Sequence, residues 1–156
     1  MARMAPYELA QLNIAVARYP LDSPHMAGFV QNIDRINALA DGSPGFIWRL
    51  PADDPEPSPF GPLALPNLSV WTDAAALWNY VYQSDHTAFL RRRKEWFEHV
   101  AEAHVVLWWV PAGHRPTLRE AAGRLALLRQ DGPSPAAFSF RQLFPHPDTF
   151  AGDEPG

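Results

Sequence analysis

Two of the six histidines in this chain stand where proton chemistry is possible. His86 lies three and four residues before Phe89 and Leu90, on the edge of an apolar stripe. A partly desolvated imidazole there can act as base, acid or ligand. His114 follows Pro111-Ala112-Gly113 directly after an apolar run, which puts it in a loop at a sheet edge. Loop residues held by a rigid scaffold are favoured for function. Ser84-Asp85-His86 makes no hydrolase triad, because neighbours on a helix or its cap point apart and triad partners must meet in space. Ser84 or Asp85 is expected to cap a helix instead. His99 and His104 are five apart across a helix-to-strand junction, and His25 and His146 sit in unrelated segments. No metal-ligand spacing results, and no metal is expected.

The candidate binding groups are of two kinds. Arg91-Arg92-Arg93-Lys94 is the one strong basic cluster, and on a helix its members fan around most of a turn. Most of that run is expected to be a solvated face, with Arg93 the candidate to reach a pocket mouth and hold an anionic substrate group. Gln11 and Asn13 alternate with Ala10, Leu12 and Ile14, so they are expected to point away from the helix-covered side of a sheet. With Trp48, Trp71 and Trp108 they would line a mostly apolar pocket bearing a few convergent hydrogen-bonding groups. The competing assignment for the tryptophans is core or dimer interface. There is no GxGxxG, phosphate loop or metalloprotease signature, so nucleotide-dependent chemistry has no support.

Strand periodicity over Glu8–Ala15 supplies the first element that must position these groups. Ser23-Pro24 then opens a helix whose apolar positions are Met26, Phe29, Val30, Ile33, Ile36 and Leu39. It should stop near Asp41-Gly42, with the glycine left-handed. Phe46–Leu50 and Leu68–Trp71 read as the second and third strands, joined by a proline-rich acidic loop from Pro51 to Pro66. Thr72-Asp73 caps an alanine-rich helix through Leu77, Tyr80 and Val81. After an interruption at Gln83-Ser84-Asp85, a second helical half is expected from about His86 to Val100. His104–Val110 is apolar throughout and reads as a central strand buried on both faces. Thr117 and Glu120 fit a capping box, opening a helix with Ala121, Ala122, Leu125 and Leu128 inward and Gly132 at its end.

The order β-α-β-β-α-β plus a C-terminal helix predicts an α+β, ferredoxin-like antiparallel sheet with helices on one face. The 156 residues suit one domain over 1–140, with a proline-rich tail over 141–156. At 47% hydrophobic and 19% charged the composition is that of a packed chain. A net charge of −4 argues against nucleic acid as a partner. No segment is apolar for the length a membrane requires, there is no cysteine, and the N-terminus lacks a leader's apolar stretch, so a cytoplasmic protein is expected. The sheet face left uncovered would expose Trp48, Trp71 and one of Trp108 or Trp109. A homodimer packed sheet against sheet would bury it and enclose a small-molecule pocket.

Three runs, NLSVWTDAAALWNYVYQSDHTAFLRRRKEWF, LWWVPAGHRPTLREAAGRLALL and GPSPAAFSF, together with PGFIWRL, resemble the DUF 3291 family. The resemblance spans roughly Tyr7 to Phe140. It implies a dimeric α/β barrel of the superfamily that includes antibiotic-biosynthesis monooxygenases, haem-handling enzymes, muconolactone isomerase-like proteins and stress-responsive barrels. By that resemblance His86 stands where the cofactor-independent monooxygenases carry a helix histidine. The expected activity is monooxygenase-like or isomerase-like, on an aromatic or polyketide-like substrate, with His86 or His114 as acid/base and no bound cofactor. The alternatives are a non-catalytic dimeric ligand-binding or stress module, and a haem-binding barrel with either histidine as axial ligand.

Overall fold

The computed structural model describes residues 6–51, 54, 56, 58–61, 63–83 and 92–147. Strand β1, Tyr7–Val16, has the alternation seen in the sequence, yet both of its faces are buried over its middle: Ala10, Leu12 and Ile14 on one, Leu9 and Gln11 on the other. It pairs antiparallel with β3 (Ala64–Trp71) on one side and β4 (Val105–Pro111) on the other. Strand β2 (Phe46–Arg49) joins beyond β3, which gives the order β2-β3-β1-β4. That order is the expected ferredoxin-like one.

Ser23 Oγ accepts the His25 N–H at 3.2 Å and starts a single 3-10 turn before helix α1, Ala27–Asp41. Helix α1 buries Phe29, Ile36 and Ala40, while Val30, one of its apolar positions, is exposed. Gly42 closes it at φ −92°; the left-handed residue is Gly45, at φ +84°. Helix α2, Ala74–Gln83, is capped by Asp73, whose Oδ1 accepts the Ala76 N–H at 2.8 Å.

Helix α3 is the single turn Arg93–Trp96, where a helix to Val100 was expected. The reason is a change of backbone partners: Trp96 O accepts the Arg18 N–H and the Glu98 N–H reaches Val16 O, so the chain here pairs with the end of β1 instead of continuing to coil. Residues 84–91, which include His86 and Arg91, lie outside the described residues.

Strand β3 begins at Ala64, within the segment expected to be loop, and contains Pro66. Leu68 O accepts the Leu50 N–H at 2.9 Å, so Leu68 and, two residues earlier, Pro66 turn their backbone polar groups toward β2. Strand β2 ends before reaching Pro66, so the missing N–H leaves no acceptor stranded. Strand β4, expected at the centre, is an edge strand whose outer side is closed by a reciprocal pair of hydrogen bonds between Leu107 and Phe138, 2.7 and 2.9 Å.

Helix α4, Leu118–Asp131, is capped by Thr117 Oγ1, which accepts the Glu120 N–H at 3.1 Å. It lays Leu118, Ala121, Leu125 and Leu128 over Ala10, Leu12, Val70, Val106 and Trp108. The opposite sheet face packs Leu9, Trp71 and Leu107 against Ala40 of α1 and Leu77 of α2. Beyond it, Ala17, Met26, Phe29 and Trp96 form a third cluster.

Helices therefore stand on both faces, and two expectations change. Trp71 and Trp108 are 1% and 0% exposed within one chain and Trp48 is half-buried, so among the described residues these tryptophans form no wholly wet sheet face. Gln11 and Asn13 share the α1/α2 face rather than pointing away from helices, because the face expected to be open is taken by α4. Among the described residues no helix is long and apolar enough to cross a membrane.

Candidate functional site

The α1/α2 face holds a ladder of cross-strand pairs from β1 and β3: Leu9 with Trp71, Gln11 with Ser69, Asn13 with Asn67 and Ala15 with Leu65. Directly opposed residues on one face of an antiparallel pair stand close enough to bond. Gln11 Nε2 donates to Ser69 Oγ at 2.7 Å, Asn67 Oδ1 at 2.8 Å and Asn67 O at 3.2 Å. Trp71 Nε1 donates to the same Ser69 oxygen at 2.8 Å. Gln11 and Ser69 are only 6% and 5% exposed, whereas Asn13 and Asn67, one step along, are exposed.

On the two buried members of this network, Gln11 and Ser69, two hydrogen-bonding positions stay uncommitted. Ser69 Oγ accepts twice, so its own proton is left to donate onward. Among the described residues nothing donates to Gln11 Oε1, and none of their fully buried polar side-chain atoms lacks a partner, so that oxygen is reached from solvent.

The surroundings are aromatic and neutral. Trp71 meets Phe46 edge-on with centroids 5.4 Å apart, and stacks on Tyr80 at 5.2 Å. Burial first, with Asp41 adding to it, pushes the Tyr80 phenol up to about 12, so it carries no charge near neutrality. Asp41 is itself held by Arg49 through contacts of 2.8 and 3.2 Å, and the Arg49 guanidinium is raised by that bond. None of the five side chains Gln11, Asn13, Asn67, Ser69 and Trp71 is ionisable near pH 7.

A second constellation occupies the turn between β4 and α4. His114 Nε2 lies 2.7 Å from Glu120 Oε1, and Trp108 Nε1 donates to Glu120 Oε2 at 3.0 Å. Gly113, at φ +88°, donates its N–H to Glu8 Oε1 at 3.0 Å, and Arg115 sits 3.6 Å from the same oxygen while standing 5.9 Å over the Trp48 ring. Glu56, from the proline-rich loop, accepts the Leu118 and Arg119 N–H groups at 2.9 and 3.1 Å and so closes the first turn of α4. Trp48 and Trp108 end one cross-strand row, with Val70 and Ala10 between them.

The sequence-derived candidates thus fall into two groups on opposite faces. Gln11, Asn13 and Trp71 come together; Trp48, Trp108 and His114 come together elsewhere. Arg93 belongs to neither: it is exposed on α3, near His104, whose imidazole is lowered chiefly by burial and further by the charges of Arg93 and Arg129. His86 lies outside the described residues. The alternation Asn67-x-Ser69-x-Trp71, in phase with Gln11 and Asn13, was the available signal for Asn67 and Ser69. Glu120 looked like a cap alone.

Among the described residues no three His, Cys, Asp or Glu side chains gather as a metal site. His114 Nε2 is bonded to Glu120, which leaves Nδ1, beside the backbone, as its free ring nitrogen.

Sheet order and pairing define a ferredoxin-like α+β domain with a polar ladder under its helices. The chain belongs to the DUF3291 family, described as a domain of unknown function, whose model matches residues 8–153. It is also similar to three solved structures. SnoaB, a cofactor-independent oxygenase from Streptomyces nogalater, is 18% identical over 74% of this chain and 100% of that one, with a TM-score of 0.47. A protein of unknown function from Nitrosomonas europaea is 13% identical over 71% and 94%, TM-score 0.46. MupZ from Pseudomonas fluorescens is 14% identical over 95% of each chain, TM-score 0.41. No curated protein matches the chain.

Proposed function

We propose that the α1/α2 face of the sheet binds a neutral, oxygen-bearing aromatic or polyketide-like small molecule, on which the chain acts as a monooxygenase-like or isomerase-like enzyme. The buried Gln11–Ser69 pair beside Trp71, bonded onward to Asn67, carries this reading. Burying polar side chains at the centre of a sheet is costly unless they are bonded, and apolar residues would fill the place at less risk. Here the bonds made still leave one donor and one acceptor side by side against an aromatic wall, the usual composition of a ligand site.

The two chemistries share a first step. A base removes a proton from carbon next to the substrate carbonyl, the Ser69 hydroxyl donates to the enolate oxygen, and Gln11 Oε1 accepts from a substrate hydroxyl. His86 is the base in this proposal. In the isomerase branch the proton returns at another carbon. In the oxygenase branch a methylene and O2 give a carbonyl and water, with no reductant required. Dimerisation of the chain belongs to the same proposal.

Titration with dihydroxynaphthalenes, followed by tryptophan fluorescence and an oxygen electrode, tests it. Ser69→Ala and Gln11→Met are expected to weaken binding about tenfold each, the scale of a lost buried hydrogen bond. Unchanged affinity in both variants, with near-UV circular dichroism intact, would remove the site. Binding without turnover would select the non-catalytic module.

A 2.7 Å contact favours a second reading, in which His114, oriented by Glu120 and flanked by Trp48 and Trp108, is the acid/base group of a site on the other face.

A further inference from the structure

The ladder does not end at its polar rungs. The Ala17 N–H reaches Leu63 O at 2.8 Å, which carries the same register one step past the Ala15/Leu65 pair. Read outward from the core, the rungs are therefore Leu9/Trp71, Gln11/Ser69, Asn13/Asn67, Ala15/Leu65 and Ala17/Leu63: apolar, polar, polar, apolar, apolar. The last two rungs open onto a groove of about 400 Å³, lined by Ala17, Tyr19, Pro20, Leu21, Leu63 and Leu65. That volume lies within the range of small-molecule sites.

Tyr19, Leu21 and Leu63 are 38%, 43% and 38% exposed around this one groove, a concentration of large apolar side chains that marks a contact surface. Among the described residues no charged side chain lines it, and neighbouring Arg18 turns its Nε to Lys94 O at 2.9 Å. Asn13 and Asn67, which are exposed, stand between the groove and the buried polar network on the same sheet face.

We infer that the ligand is elongated: a neutral oxygen-bearing head on Gln11 and Ser69, continued past Asn13 and Asn67 by an aliphatic extension lying in the Leu63–Leu65–Tyr19 groove. This rests on the proposed polar site and adds the substrate class. Length follows from strand geometry. Two residues of strand advance about 6.8 Å, so Ser69 and Leu65 stand about 14 Å apart along β3. An extended hydrocarbon chain covers that distance in roughly ten carbons, given the ~1.5 Å carbon–carbon bond and its zigzag. A compact one-ring molecule fills the head position and leaves the groove wet.

The test uses the full chain with 4-alkylphenols from ethyl to octyl, titrated by calorimetry, and 1-butanol against 1-octanol as a second series. Affinity for the phenols is expected to stay nearly level for chains too short to pass Asn13 and Asn67, then to rise about three- to fourfold per methylene that enters the groove and leaves water. Leu63→Glu, at an exposed position, should flatten that rise while leaving 4-ethylphenol unchanged. The short phenol reads the polar site alone and the alkanols read the groove alone, so the two failures are distinct. A missing chain-length dependence in both series overturns the extension. Dependence in the alkanols with no phenol bound overturns the joined ligand and the polar site with it. An unaltered slope in Leu63→Glu places the chain elsewhere. A Leu63→Glu variant that changes the molecular mass in light scattering assigns the groove to contact between copies and also ends the proposal.

Discussion

Glu120 shows how much one side chain at a helix start can carry. Its backbone N–H is capped by Thr117, and its carboxylate joins an indole N–H that has left water to an imidazole that has not: Trp108 is 0% exposed, while the His114 side chain is 42% exposed. Those burials set unequal consequences. Glu120→Ala strands the Trp108 N–H in the core and is expected to cost about 1–3 kcal/mol in urea denaturation. His114→Ala opens no buried gap, and an exposed side-chain contact contributes about 1 kcal/mol or less, so its stability should stay close to that of the parent. If His114 is instead the acid/base group, His114→Ala loses turnover by about 100-fold with the same small effect on stability. Equal destabilisation by the two variants would contradict this account of the turn. The types of these residues were readable from the sequence, but their partners were not. Trp108 and Glu120 meet only because α4 folds back over β4, and nothing in the spacing of twelve residues announces which way that helix turns.

At the scale of elements, the α1–β2 turn separates two glycines that look alike in the sequence. Gly42 ends α1 at φ −92°, and an added Cβ would meet only Ala38 O, at 3.6 Å. Gly45 is at φ +84°, and an added Cβ would stand 2.4 Å from Ala76 Cβ and 2.6 Å from Thr72 Oγ1. Its carbonyl also accepts the Thr72 N–H at 2.8 Å, so the turn is locked against the start of α2 and cannot shift to make room. Gly45→Ala is expected to cost about 3 kcal/mol or more, from left-handed strain plus overpacking, and to lower Tm by roughly 10 °C. Gly42→Ala should move Tm little. Differential scanning calorimetry of both decides, and near-equal midpoints would contradict the assignment. Element order, Ser23 and Thr117 caps and the α1 stripe were all readable because they are local. The length of α3 was not, since its end is set by backbone bonds from Val16–Arg18, some eighty residues away. The start of β3 escaped because proline usually forbids a strand flanked on both sides, and only the shortness of β2 frees that edge at Pro66.

The whole molecule is a sheet covered on both faces, and that layering explains why HVVLWWV looks central while lying at the edge. Apolar residues on both faces of a strand report two covering layers, not two neighbouring strands. Sequence shows that α4 has an apolar stripe; it cannot show which sheet face receives it, and the homodimer expectation turned on that choice. With α4 in place, Ala10, Leu12, Val70, Val106 and Trp108 are fully or nearly fully buried inside one chain, so contact between copies through that face would require α4 to leave. Bonds holding helix α4 there include Trp108 Nε1 to Glu120, the Glu56 strap from the proline-rich loop, Arg124 Nη1 to Ala136 O at 2.9 Å and Arg129 Nε to Ala103 O at 2.8 Å. Truncation after Pro116 removes the helix and the segment beyond it, Phe138 on the outer side of β4 included, and leaves the four strands with α1 and α2. The bared face presents a contiguous apolar surface, with Trp108 having lost its carboxylate partner. Such a surface is far larger than monomers tolerate. The truncated chain is expected to bind 1-anilinonaphthalene-8-sulfonate and to self-associate in light scattering at micromolar concentration, where the full chain does neither through this face. A truncated chain that keeps the full chain's association state and binds no dye would show that α4 is not what closes the sheet.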